Sequence, residues 1–160
     1  MRFSLIFLAF LLTAGSCKRS EKFSEIPAIS VVSVQPNIVP AGSSEVTVFI
    51  TLKITDGDAD LGKVAGIDDV FLLDSRAADT FNIQIEDTLK FTVPEIPKNA
   101  ITPDKGLEGY CIVRVDAARL LFRDTVSTRE ADTVSFRMYV YDKKRHKSNE
   151  VTTPEIYLTK

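Results

Sequence analysis

Tryptophan is absent from this 160-residue chain, histidine occurs once, at His146, and cysteine twice, at Cys17 and Cys111. Each shortage removes a class of chemistry. One histidine cannot build a multi-histidine zinc site, and an imidazole set among Lys143, Lys144, Arg145 and Lys147 is a poor base for Ser-His or Cys-His catalysis. Carboxylates are numerous enough for a glycosidase pair, but such pairs work in clefts lined with aromatics. Glycan platforms likewise favour exposed Trp and Tyr, and here only Tyr110, Tyr139, Tyr141 and Tyr157 supply such area. Two cysteines are too few for a disulfide framework. Lysine and arginine number 20 against 22 acidic residues, so no basic excess points to nucleic acid. A noncatalytic protein is expected.

Long apolar stretches are also missing. The longest, the largely apolar Phe3 to Leu12, covers ten residues, whereas a membrane-spanning helix takes roughly 20. That short run follows Met1 and Arg2 and precedes the small residues Thr13-Ala14-Gly15-Ser16, which together read as a signal peptide over 1–16. Cys17 follows at once, and the segment matches a bacterial lipoprotein box except that Ala14 stands where Leu is usual. Cleavage before Cys17 and acylation of its thiol and amine would leave two or three chains, enough for stable anchoring to a bilayer. Cys17 is then unavailable for a disulfide, and Cys111 is unpaired. Residues 17–27, polar and of mixed charge at first, read as a flexible tether, with the folded domain over 28–160. Removing residues 1–16 takes away only one charge, Arg2, so 19 basic side chains remain against 22 acidic ones. The expected location is the cell envelope, most simply the outer membrane.

The domain reads as strands. Val46, Val48, Ile50, Leu52 and Ile54 alternate with polar or solvent-phase residues, as do Val134, Phe136, Met138 and Val140, and Cys111, Val113 and Val115. Shorter runs at 29–34, 70–73, 81–85, 89–93 and 155–158 bring the total to seven or eight, punctuated by Pro36, Pro40-Ala41-Gly42, Pro94, Pro97, Pro103 and Gly106. One short helix of about two turns is expected near 116–122, with Asp116 as its N-cap. This is the pattern of an all-β, immunoglobulin-like antiparallel β-sandwich. Cys111 shares the phase of Val113 and Val115 and is expected to be a buried, inert thiol.

The one cluster with chemistry in it is Asp56-Gly57-Asp58-Ala59-Asp60-Leu61-Gly62, directly after the clearest strand. Three carboxylates at alternate positions, in a loop that glycines let turn tightly, can converge on a hard cation, and calcium takes oxygen ligands at about 2.3–2.6 Å. It is not an EF-hand: Leu61 stands at the position of the loop glycine and Ile67 at that of the bidentate Glu. Asp68 and Asp69 lie just beyond. In an immunoglobulin-type topology the loop starting at Asp142 lies at the same end, so Asp142 could add a fourth carboxylate. Alternatively, Lys143, Lys144 and Arg145 neutralise the acidic loop directly and no metal is needed.

The lipoprotein cysteine, Phe23-Ser24-Glu25-Ile26-Pro27, the loop 56–62, Asp74-Ser75-Arg76, and the closing runs 132–142 and 148–156 together resemble a family of lipoproteins of Bacteroidetes-type bacteria. In that family the acidic loop often carries glycine where Ala59 stands. The resemblance implies an immunoglobulin-like fold and an envelope location, and it brings no activity or catalytic residue. The expectation is a monomeric, lipid-anchored binding or structural protein of the envelope, with calcium as its candidate cofactor at Asp56, Asp58, Asp60 and Asp142. The alternative is an accessory glycan-binding lipoprotein of a surface polysaccharide system.

Overall fold

The computed structural model of the protein describes residues 21–62, 69–76, 88–122 and 131–160. Eleven strands run through them: β1 (Ala28–Gln35), β2 (Ile38–Pro40), β3 (Thr47–Asp56), β4 (Val70–Asp74), β5 (Thr88–Phe91), β6 (Ile101–Thr102), β7 (Gly106–Asp116), β8 (Ala131–Val134), β9 (Phe136–Val140), β10 (Val151–Thr152) and β11 (Ile156–Thr159). Period-two alternation decides which face of each is buried. In β3, Val48, Ile50 and Leu52 are inaccessible to solvent, as are Met138 and Val140 in β9, and residues between them lean outward.

One layer has the order β1-β3-β7-β6. The other is built from β10-β9-β4-β5 and β2-β11-β8. Ser135 alone separates β8 from β9, and residues 153–155 separate β10 from β11, so these two ladders follow one another along the same stretches of chain. The N-terminal strand is shared between layers: β1 pairs antiparallel with β3, and β2 crosses to pair parallel with β11. Together with the hydrophobic core that the described residues form between the layers, this is an all-β sandwich.

Two details differ from the sequence reading. There are more strand segments among the described residues than the seven or eight expected, because the run at 134–140 is broken at Ser135 and β2, β6 and β10 are short additions. Pro154 cannot donate to a ladder and falls in the break between β10 and β11. At the other, hydroxyls step in: Ser75 Oγ accepts from the Ser135 N–H (3.3 Å) and Thr153 Oγ1 from the Phe136 N–H (2.9 Å). The helix expected over 116–122 is only a single 3-10 turn, Ala117–Arg119. Asp116 is the last residue of β7 and accepts from Thr47 Oγ1 across the ladder (3.1 Å) instead of capping a helix. The apolar residues that suggested a helix serve this turn, with Ala117 and Leu120 buried. The strand expected at 81–85 lies outside the described residues, as do Cys17 and Asp68.

The tether expected over 17–27 is shorter at its domain end. The Phe23 N–H donates to the Lys105 carbonyl (3.0 Å), the Gly57 N–H donates to the Ser24 carbonyl (2.7 Å), and Pro27 is buried. The Lys105 ammonium also sits 4.6 Å from the centre of the Phe23 ring. The chain is therefore fixed to the fold from Phe23, five residues before β1.

Cys111 keeps the expected phase, flanked on its face by the buried Val113 and Val115, yet it is only partly covered. It lines an apolar cleft of about 380 Å³ with Ile54, Val93, Ile96, Leu107 and Tyr110. Burial pushes its thiol pKa up, which disfavours the reactive thiolate.

Candidate metal centre

Strand phase carries a carboxylate into each layer's end. Asp56 continues the inward series Val48, Ile50, Leu52, Ile54 of β3 and is fully buried. Asp142 continues the inward series Phe136, Met138, Val140 of β9 and is 1% exposed. Opposing sheets thus deliver two buried acids to one end of the sandwich.

The loop after Asp56 brings two more. Asp56, Asp58 and Asp60 each present an oxygen to a common point, and these atoms lie within 4.8 Å of one another. Oxygens on opposite sides of one calcium ion are separated by up to about 5 Å, so the triad fits that ion's reach. The Oδ1 atoms of all three are shielded from solvent and accept no hydrogen bond. The remaining oxygens are occupied in ways that orient them: Asp56 Oδ2 accepts from the Leu61 N–H (3.2 Å), and Asp58 Oδ2 pairs with the Lys144 ammonium (2.5 Å). Buried polar atoms without partners are rare in folded proteins, and three converging ones identify this loop as the candidate site. Ala59 sits at φ +56°, in the left-handed region where glycine carries no penalty. That backbone turn is what lets Asp58 and Asp60 face the same point.

Electrostatics report the same crowding. Desolvation, followed by the neighbouring Asp58 carboxylate, pushes Asp56 up to about 6. Burial, then the charges of Asp142 and Asp58, raise Asp60. Asp58 is lowered, chiefly by Lys144.

Asp142 is not part of the ligand triad. Its carboxylate is held by His146, whose N–H donates to Oδ1 (2.7 Å) and whose Nδ1 lies 2.8 Å from Oδ2. The Arg145 N–H donates to the Asp142 carbonyl (3.1 Å), so Asp142 closes its own loop and acts on the triad only through its charge on Asp60. The single histidine is thus an orienting partner for a buried acid. Of the basic cluster, Lys144 reaches the acidic loop through Asp58 Oδ2, and Asp58 Oδ1 is left without a hydrogen-bond partner.

No family model and no curated protein matches the chain. The site must be judged on its own atoms.

A second buried charge cluster, which the sequence reading did not pick out as a site, lies at the other end of β4. Asp74 is inward, in phase with Val70 and Leu72, and takes a two-pronged contact from Arg76, with Nε 3.0 Å from Oδ1 and Nη2 2.7 Å from Oδ2. Arg76 Nη1 also donates to Asp132 Oδ2 (3.0 Å) and the Leu121 carbonyl (2.9 Å). Its signal in the sequence is an acid at an inward strand position with an arginine two residues later. All the donors point inward at protein atoms, so the cluster ties β4, β8 and the chain after β7 together.

The raised pKa of Asp56 gives a signed expectation for the metal-free protein. A carboxyl whose folded value exceeds its unfolded one leaves stability intact below the ordinary value near 3.8 and lowers it as pH rises through about 6. In chelator, Asp56→Asn should therefore match the parent at pH 4 and become more stable than it by a margin that grows to a plateau above pH 6.5. Paired thermal melts across that range check this, and a margin independent of pH would show that Asp56 is ionised at no cost.

Proposed function

We propose that this protein is a noncatalytic, lipid-anchored β-sandwich of the cell envelope whose acidic end binds calcium. The observation that carries the metal part is that Asp56, Asp58 and Asp60 bring carboxylate oxygens within 4.8 Å of one another while each keeps a solvent-shielded Oδ1 without a hydrogen-bond partner. Oxygen-only ligands suit a hard cation, and calcium, which accepts irregular oxygen geometries, suits a loop of three carboxylates better than magnesium, which demands near-ideal octahedral geometry. The anchoring part rests on the sequence around Cys17. Among the described residues no helix is long and apolar enough to cross a membrane.

The noncatalytic part rests on the shortage of parts. The single histidine is occupied by Asp142, and the 380 Å³ cleft is lined mainly by apolar side chains. The glycan-binding alternative has less support. Phe71, Tyr139 and Tyr141 do cluster on the outer sheet face, with Phe71 and Tyr139 stacked 5.2 Å apart, but Lys147 caps the Tyr139 ring at 4.1 Å and Arg145 the Tyr141 ring at 4.5 Å. A sugar would have to displace both cations.

Calcium affinity should fall in the range of extracellular modules, with Kd of roughly 10⁻⁴ to 10⁻³ M, because no bidentate Glu closes the loop. At 1 mM calcium such a site adds about 0.4–1.4 kcal/mol of stability. The parent protein should therefore melt a few degrees higher in calcium than in chelator, and Asp58→Asn should lose most of that difference. Equal melting temperatures for the parent in both buffers would remove calcium from the proposal.

A further inference from the structure

The acidic loop and the docked end of the tether share a peptide group. Gly57 lies between two of the three candidate ligands, and its N–H is one of the two backbone donors that fix Phe23 and Ser24 to the fold. We propose that cation binding at Asp56, Asp58 and Asp60 clamps the tether: the occupied site holds the segment from Phe23 against the domain, and loss of the cation frees it. The inference rests on the calcium reading above and adds to it what the cation regulates.

Three features carry it. First, the contact is built at backbone level and needs glycine on both sides. A Cβ at Gly57 would overlap the Phe23 carbonyl oxygen, and one at Gly106 would overlap the Asp56 carbonyl oxygen. Gly106 also has φ +101°, a conformation that side chains rarely adopt. The tether, the acidic loop and the start of β7 are therefore in direct main-chain contact, with no side chain between them to absorb a movement.

Second, the orientation of the Gly57 amide is set by the residues on either side. With a cation in place, Asp56 and Asp58 are held toward one point, and the peptide between them is held with them. Without one, like charges brought within 4.8 Å repel, and the loop has reason to open. Opening turns the amide that the Ser24 carbonyl accepts from.

Third, the charges of the tether face the same end. The Lys144 ammonium that pairs with Asp58 also feels Glu25. The remaining anchor, the Phe23 N–H on the Lys105 carbonyl, depends on the Gly106 turn that packs against Gly57, so the two hydrogen bonds are expected to be lost together. Coupling between two binding events is reciprocal: if calcium favours docking, docking favours calcium by the same factor.

The experiment uses the full mature chain with Cys17→Ser to keep it in solution, and reads amide hydrogen exchange residue by residue in 5 mM calcium and in chelator. The Phe23 and Gly57 amides should exchange at least tenfold more slowly in calcium, while amides in the middle of β3 change only in line with global stability. Gly57→Ala, whose added methyl occupies the place of the Phe23 carbonyl, should abolish the calcium-dependent slowing at Phe23 and weaken calcium binding several-fold by titration. Asp58→Asn should abolish the slowing through loss of the metal. If calcium raises the melting temperature of the parent but leaves Phe23 and Gly57 exchange unchanged, the clamp is wrong and the metal site stands. If calcium has no effect on melting, binding or exchange, both fall. Unchanged calcium affinity in a folded Gly57→Ala protein would also overturn the clamp.

Discussion

Replacing Arg76 with methionine is expected to destabilise the domain by about 3–5 kcal/mol, the usual cost of removing one partner from a buried ion pair. Asp74 is 7% exposed, and in the variant its carboxylate would lose both guanidinium contacts while staying between the sheets. Burial alone would lower the pKa of Arg76, but Asp74 and Asp132 outweigh it and keep the guanidinium charged. Removing it therefore leaves the Asp74 carboxylate facing a vacated, low-dielectric site. For a domain of this size the loss corresponds to a fall of roughly 10–20 °C in Tm. Adding Asp74→Leu to the same protein should recover much of it, since a packed apolar pair can equal a buried ionic one. Denaturant unfolding of the parent, the single variant and the double variant measures this. A single variant within 1 kcal/mol of the parent would mean that the cluster is wetter than its exposure indicates.

Cys17→Ser should change where the protein is found rather than whether it folds. With two or three acyl chains attached at Cys17 the parent should fractionate almost wholly with membranes and take up a palmitate analogue in metabolic labelling. The serine variant should take up none and appear in the soluble fraction with an unchanged melting temperature, because the backbone contacts that hold the tether to the fold among the described residues are made by Phe23 and Ser24. Label retained by Cys17→Ser, or a parent protein that is soluble without detergent, would remove the lipid anchor.

Much of the sandwich was legible because period-two alternation is a direct consequence of one buried face per strand. The same rule, carried one step past the strand ends, would have placed the acids. Asp56 follows Ile54 by two, Asp142 follows Val140 by two and Asp74 follows Leu72 by two, and all three are buried. Reading Asp56 only as the first residue of a loop missed its inward phase. Assigning Asp142 as a ligand missed that an acid four residues before a histidine could close its own turn. The supposed helix near 116–122 failed for a different reason: a stretch of seven residues with alanines and leucines fits a buried turn as well as two helical turns, and β-pairing of Asp116 with Thr47 decided the matter. The docked tether left the faintest trace. Phe23 and Ser24 show no periodicity, and the glycines that receive them, Gly57 and Gly106, disclose their purpose only when distant segments are brought together.

The parallel pairing of β2 with β11 has a mechanical consequence. A protein held to a surface by its N-terminal segment bears any pull through its first strands, and here Ile38, Val39 and Pro40 lie in register with Tyr157, Leu158 and Thr159 in the same direction. Tension between the tether and the far end of β11 therefore acts along the two strands and slides them past each other. The hydrogen bonds that flank this ladder, Tyr157 N–H to the Asn37 carbonyl and Ala41 N–H to the Thr159 carbonyl, both at 2.8 Å, lie across that direction of pull and are loaded together instead of one at a time. The parallel seam between β2 and β11 is thus arranged to resist shear, whereas an antiparallel hairpin pulled at its open end would unzip.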